Sequence, residues 1–258
     1  VLWVIPERLV SMKNWCSSLI GIVCLIVATH TFATPSAYEI LKKADESRGN
    51  IQGISWEVVV ESVEAQRTTD TMVYNIKARG FDISGLSLEP PKYKGNKLLM
   101  TNNNMWFYKP GLSKPIPIAQ RQKLLGNAAY GDIASTNYAE DYEATFLPEE
   151  AVDGEECYVF DLKSKNDKTT YDRIKYWISK KRLVGVKAEY YTVSGKKFKF
   201  ANMEFNNSVK IDGKIRPFIS KITMRDTLIS ENVTYLNMNK PRFEPLPDYV
   251  FNLNLFMK

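Results

Sequence analysis

The chain has 258 residues, 44 % of them hydrophobic and 12 % aromatic, with 35 basic and 29 acidic side chains, one histidine and three cysteines. That length suits one sandwich- or barrel-sized β domain, and a net charge of +6 dispersed along the chain is no nucleic-acid footprint. One histidine and three cysteines leave little material for Ser-His-Asp or Cys-His catalysis or for Cys/His zinc sites.

The N-terminus reads as a targeting segment. Met12-Lys13-Asn14-Trp15 precedes the apolar run from Leu19 to Ala28, followed by Thr31-Phe32-Ala33 and Pro35. A positive start, a short apolar core and small residues at the cut are the marks of a secretory signal peptide. The run is too short for a bilayer, which needs about 20 apolar residues, so an uncleaved anchor is the weaker reading. Cleavage is expected after Ala33, with Met12 the natural start and residues 1–11 an upstream extension. Cys24 does not read as a lipid-modified cysteine, because Val23 stands where a small residue is needed. Cleavage removes His30, Cys16 and Cys24, and leaves Cys157 as a lone, buried, inert thiol. The expectation is a periplasmic protein, residues 34–258 forming one domain, with no catalytic residues, metal or cofactor.

Ser36 to Gly49 predicts a helix. Ser36 caps it, Glu39 completes a capping box, Gly49 closes it, and Ala37, Ile40, Leu41 and Ala44 share one face. The period then changes to two. Ile54, Trp56, Val58 and Val60 alternate with polar residues, as do Met72, Tyr74, Ile76 and Ala78. Lys97–Met100 and Met105–Tyr108 flank a hairpin turn at Asn102-Asn103-Asn104.

Alternation stops from Pro110 to about Glu143, which reads as short helices and loops forming a lid. Strands are expected again at 156–163, 171–178, 183–193, 197–205, 215–224, 232–237 and 249–255. Roughly eleven strands then follow one another as antiparallel neighbours. The prediction is a mainly β fold with a few helices: a curved antiparallel sheet whose apolar face is covered by the N-terminal helix and the lid.

Trp56, Val58, Met72, Tyr74, Met100, Trp106, Tyr108, Tyr158, Tyr176 and Tyr190 are large apolar residues at strand positions. Periodicity leaves two readings open: a filled core, or the lining of a cavity for an apolar ligand. A buried acyl chain of about fourteen carbons would contribute on the order of 10 kcal/mol before ordering costs. Glu140-Asp141, Glu149-Glu150 and Glu155-Glu156 are adjacent pairs. Neighbours on a strand point to opposite faces, so they read as solvated charges rather than an acid/base couple. The run Lys197-Phe198-Lys199-Phe200 reads as alternation on an exposed strand face. The sequons at Asn206 and Asn232 read as accidental.

An ordered set of segments carries a resemblance. Gly131-Asp132-Ile133-Ala134-Ser135-Thr136-Asn137-Tyr138-Ala139-Glu140-Asp141-Tyr142 is followed by Val152-Asp153-Gly154-Glu155-Glu156-Cys157-Tyr158. Then come Thr170-Tyr171-Asp172-Arg173-Ile174-Lys175-Tyr176-Trp177, Val186-Lys187-Ala188-Glu189-Tyr190-Tyr191 and Leu246-Pro247-Asp248-Tyr249-Val250-Phe251. Over most of residues 36–258 the chain resembles the outer-membrane lipoprotein-sorting protein family, relatives of the LolA carrier. The resemblance implies an open half-barrel that binds acyl chains of a lipoprotein or envelope lipid, with transient contact to a membrane surface. It also implies a possible inner-membrane exporter partner of the resistance-nodulation-division type, either in transport or with the protein as a non-shuttling sensor or accessory module. The carrier has a basic residue near its lid that gates release, and Lys77 and Arg79 are the candidates by location.

Overall fold

The computed structural model describes residues 35–229 and 231–256. The expected signal segment over residues 1–33 lies outside the described residues. Helix α1 (Ala37–Glu46) starts as the sequence predicts: Ser36 accepts from the Glu39 amide and the Glu39 carboxylate accepts from Ser36. Its buried face is Ile40, Leu41 and Ala44.

Next come β1 (Ile54–Glu64), β2 (Arg67–Arg79), β3 (Asp82–Glu89), β4 (Lys97–Thr101), β5 (Asn104–Tyr108) and β6 (Ile116–Ile118). The lid holds the short pair β7 (Lys123–Leu125) and β8 (Ala128–Ala129), a 3-10 turn and the single-turn helix α2 (Tyr138–Asp141). Strands β9 (Tyr142–Val152), β10 (Glu155–Ser164), β11 (Arg173–Ser179), β12 (Gly185–Tyr191) and β13 (Lys197–Glu204) follow. Then come β14 (Asn207–Ile211), β15 (Lys214–Phe218), β16 (Lys221–Asp226) and β17 (Val233–Phe243).

Thirteen strands form one antiparallel sheet in the order β6-β5-β4-β3-β2-β1-β17-β16-β13-β12-β11-β10-β9. The sheet does not close: β6 and β9 are its two edges. Register shifts at Ser55/Glu57, Ser62/Val63, Val73/Tyr74, Cys157/Val159 and Trp177/Ile178 add bulges, which strengthen the twist and curl the sheet. The concave side carries one large apolar cluster, into which α1 and the lid residues Leu124, Ala128, Ile133, Ala134, Tyr138 and Ala139 pack.

The strand order departs from simple succession in two places. The first strand pairs with the last, Val58 opposite Met238 and Val60 opposite Leu236, so the two ends of the domain meet mid-sheet. The segment expected as one strand over 215–224 is two. Pro217 has no amide hydrogen to give a central ladder, and β15 leaves the main sheet to pair with β14 alone. The last expected strand, 249–255, is a 3-10 turn at Asp248–Phe251 followed by further turns, entered through Pro245 and Pro247. Six strands lay outside the sequence expectation: β3, the short β6, β7 and β8 in the segment read as helices and loops, β14, and the edge strand β9, whose Glu-rich, mostly exposed pattern hides its period.

Candidate functional site

Seven of the ten aromatic and apolar candidates meet in the concave cluster: Trp56, Val58, Met72, Tyr74, Met100, Tyr176 and Tyr190, all buried. Tyr158 packs at the margin of the same cluster, against the exposed ring of Phe146. Trp106 and Tyr108 stand on the opposite face. They alternate with Met105 and Phe107, which take the concave positions, and they pack with Leu99, Leu246, Phe251 and Phe256 under the C-terminal segment. Lys77 and Arg79, the gate candidates, also project away from the lid. Arg79 donates to Asp248 at 2.6 Å and covers the Phe251 ring.

The lid is held mainly at its hairpin and its 3-10 turn. The Asn127 amide donates to Thr234 Oγ1 at 2.7 Å, and its side chain donates to the Asn232 carbonyl at 2.9 Å. The backbone comes so close here that only glycine fits at 126, where φ is +52° and a Cβ would stand 2.3 Å from Thr234 Oγ1. At the other end Asn50 donates to the Thr136 carbonyl and to Asn137.

Between the lid hairpin and the ends of β11, β12 and β13 opens a cleft of about 680 Å³. Its walls include Arg121, Lys123, Tyr191, Val193 and Phe198, and its floor is polar. Beneath that floor Asp132, buried, accepts from the Ala129 amide at 2.8 Å and from the Tyr171 hydroxyl at 2.7 Å. Lys199, equally buried, donates to the Asn127 carbonyl at 2.7 Å and to the Tyr171 hydroxyl, and lies 3.5 Å from Asp132. The Tyr171 and Tyr190 rings stack 4.0 Å apart beneath the ammonium. Burial, and then the field of Asp132, pushes the Tyr171 hydroxyl well above its ordinary range, so it stays a donor. Burial pushes the Lys199 ammonium down, with Asp132 opposing.

The rim of this cleft is apolar where the chain turns. Val193, on the β12–β13 turn, is 87 % exposed. The β16–β17 turn beside it, tied on by the Thr227 amide to the Phe198 carbonyl, exposes Leu228 and Ile229.

Lys199 departs from the exposed-face reading of its strand. It is the inward partner of Ala201 and Met203, so the strand's phase runs opposite to that of a solvated Lys ladder. That period-two pair was the available signal. Asp132 and Tyr171 gave none, because their neighbours come from distant segments.

The model of a family described as uncharacterized protein-like matches residues 86–258. Among solved structures, the chain is similar to a LolA superfamily protein from Nitrosomonas europaea, at 30 % identity over 86 % of this chain and 99 % of that one, with a TM-score of 0.76. It shares its fold with an outer membrane lipoprotein-sorting protein domain from Vibrio parahaemolyticus, at 20 % identity, 86 % and 98 % coverage and TM-score 0.71. The same holds for a DUF1329 family protein from Desulfovibrio piger, at 20 %, 85 % and 97 %, and 0.69. No curated protein matches the chain.

Proposed function

The chain belongs to the LolA superfamily, and from that premise we propose that it is a periplasmic carrier rather than an enzyme. In this reading it holds acyl chains of a lipoprotein or envelope lipid on its concave face. The observation that carries the reading is the open sheet itself. Its continuous apolar face, which includes Trp56, Val58, Tyr74 and Tyr190, is roofed by a lid of short elements joined to the sheet by side-chain hydrogen bonds. The core is packed in this state, so loading requires the lid between β6 and β9, residues 119–141, to lift from the sheet. Methylenes entering that face would contribute about 0.8 kcal/mol each, set against the lid's lost packing.

The cleft at the free end of β12 and β13 would be the entrance, with Phe198 inside it and Val193, Leu228 and Ile229 at its rim. Exposed aliphatic side chains at turn tips, next to Arg121 and Lys123, suit a transient stop at an anionic membrane surface. An inner-membrane exporter could supply or receive the cargo there.

The test is mass spectrometry of organic extracts from the purified full chain, beside Phe198→Asp at the entrance. A stoichiometric acyl species that the variant lacks is expected. Protein that carries no acyl species, and takes up no fluorescent fatty-acyl probe, would overturn the carrier reading. Loading without delivery between two membranes would instead identify a sensor.

A further inference from the structure

Arg48, in the turn that ends α1, is 3 % exposed. Its guanidinium lies in the core beneath the lid, and every element around it contributes a group. These are Tyr138 from α2, Tyr176 from β11, Tyr190 from β12, Asp132 from the lid's 3-10 turn and Asp45 from its own helix. The phenols of Tyr138 and Tyr176 reach it, but neither carboxylate forms an ion pair with it. Arg48 Nη1 and the Tyr176 hydroxyl are both buried without a hydrogen-bond partner. The two carboxylates are committed elsewhere, Asp45 to the Ala139 amide and Asp132 to Ala129, Tyr171 and Lys199.

Other arginines of the fold are treated differently. Arg173 forks onto Asp161 at 2.6 and 3.1 Å, and Arg182 onto Glu155 at 2.9 and 2.5 Å, both at the surface. The protein gives these exposed guanidinium groups a carboxylate each and gives the buried one none. A guanidinium keeps its proton in proteins, so burial cannot neutralise it. A buried ion without a counter-ion is costly, and an oxyanion that supplied the missing partner would recover that cost.

We propose that Arg48 is the receptor for the anionic head of the cargo, a carboxylate or phosphate joined to an acyl chain, with the Tyr176 hydroxyl as second donor. The proposal rests on the carrier reading and names the class of its ligand. The surrounding phenols remain protonated donors, because burial raises Tyr138, to about 12, and Tyr176 and Tyr190 higher. The tyrosines also extend from Arg48 towards the cleft: Tyr190 stacks on Tyr171, which lines it. The head would thus travel past hydroxyl groups rather than bare hydrocarbon.

The experiment titrates the full chain with hexadecanoate, hexadecyl phosphate and hexadecanol, three ligands with one chain length and different heads. The anions are expected to bind at least tenfold tighter than the alcohol, and the better anion identifies the head. In Arg48→Met all three should fall to the affinity of the alcohol, while the melting temperature of the ligand-free protein holds or rises. Equal binding of the three to the parent chain overturns the Arg48 assignment alone. Failure of all three to bind overturns the carrier reading. If Arg48→Met does not fold, Arg48→Lys, which keeps the charge but loses the fork, must still weaken the preference for anions; an undiminished preference refutes the assignment.

Discussion

The Nζ of Lys199 on β13 donates to the main-chain carbonyl of Asn127 across 2.7 Å, fastening the lid hairpin to the sheet from inside the cleft. The same ammonium balances Asp132, so the contact joins two roles, latch and counter-charge. Lys199→Met should therefore cost about 3–5 kcal/mol, because it strands a buried carboxylate. Adding Asp132→Asn should restore most of that stability but not the latch. In the double variant, amide exchange over residues 123–129 should remain about tenfold faster than in the parent, the equivalent of about 1.4 kcal/mol. Exchange that returns to the parent rate would remove Lys199 from the lid's closure.

Gly126 gives a second handle on the same hairpin. A methyl group there would press on Thr234 Oγ1 and on Ser62 Oγ at 2.7 Å, at a residue whose φ is +52°. It would also disturb the Asn127–Thr234 bond. Gly126→Ala should destabilise by about 2–4 kcal/mol, the sum of crowding and left-handed strain. Gly154→Ala, at φ +81° with nothing within 4 Å, carries the strain alone and should cost about 1–2 kcal/mol. Comparing the two melting temperatures isolates the hairpin's close approach. Equal losses would mean that the hairpin yields freely.

Asp45 predicts a pH dependence. Burial raises its carboxyl to about 6, against pulls from the Ala139 amide and Arg48. The folded state thus holds a proton that the unfolded chain releases near pH 4. The resulting stabilisation is complete below pH 4 and is lost as pH rises through 6, on the order of 3 kcal/mol in all. Asp45→Asn should flatten this part of the stability curve. Urea unfolding at pH 4 and pH 7 reads the difference, and an unchanged slope in the variant would count against Asp45 as its source.

The rim residues Val193, Leu228 and Ile229 can be changed without touching the core. Replacing all three with Ser should leave stability within about 0.5 kcal/mol per site. Sedimentation with vesicles rich in phosphatidylglycerol should fall by roughly tenfold or more, since about 1 kcal/mol or more of apolar transfer is lost per side chain. Vesicle binding that survives the triple variant would place membrane contact elsewhere.

Much of this architecture was legible in local pattern. The capping box at Ser36 and Glu39, the change of period after α1, and the hairpin at Asn102–Asn104 are short-range signals, and each lies where the residues put it. Binary alternation also named most of the concave face, because a strand's side chains must take opposite sides. It failed where alternation has no phase reference. Trp106 and Tyr108 match the pattern of Met105 and Phe107 equally well, and only the C-terminal segment folded over the convex side decides between them.

The sequence by itself determined a curled antiparallel sheet with one apolar face, an N-terminal helix and a lid, since backbone periodicity and capping act over a few residues. The pairing of β1 with β17, the burial of Lys199 against Asp132, and the burial of Arg48 Nη1 without a partner are decided only by the tertiary structure. Their partners stand tens to nearly two hundred residues apart in the chain. A charge's cost or use depends on what the folded chain places around it, and that is not written in its neighbours along the sequence.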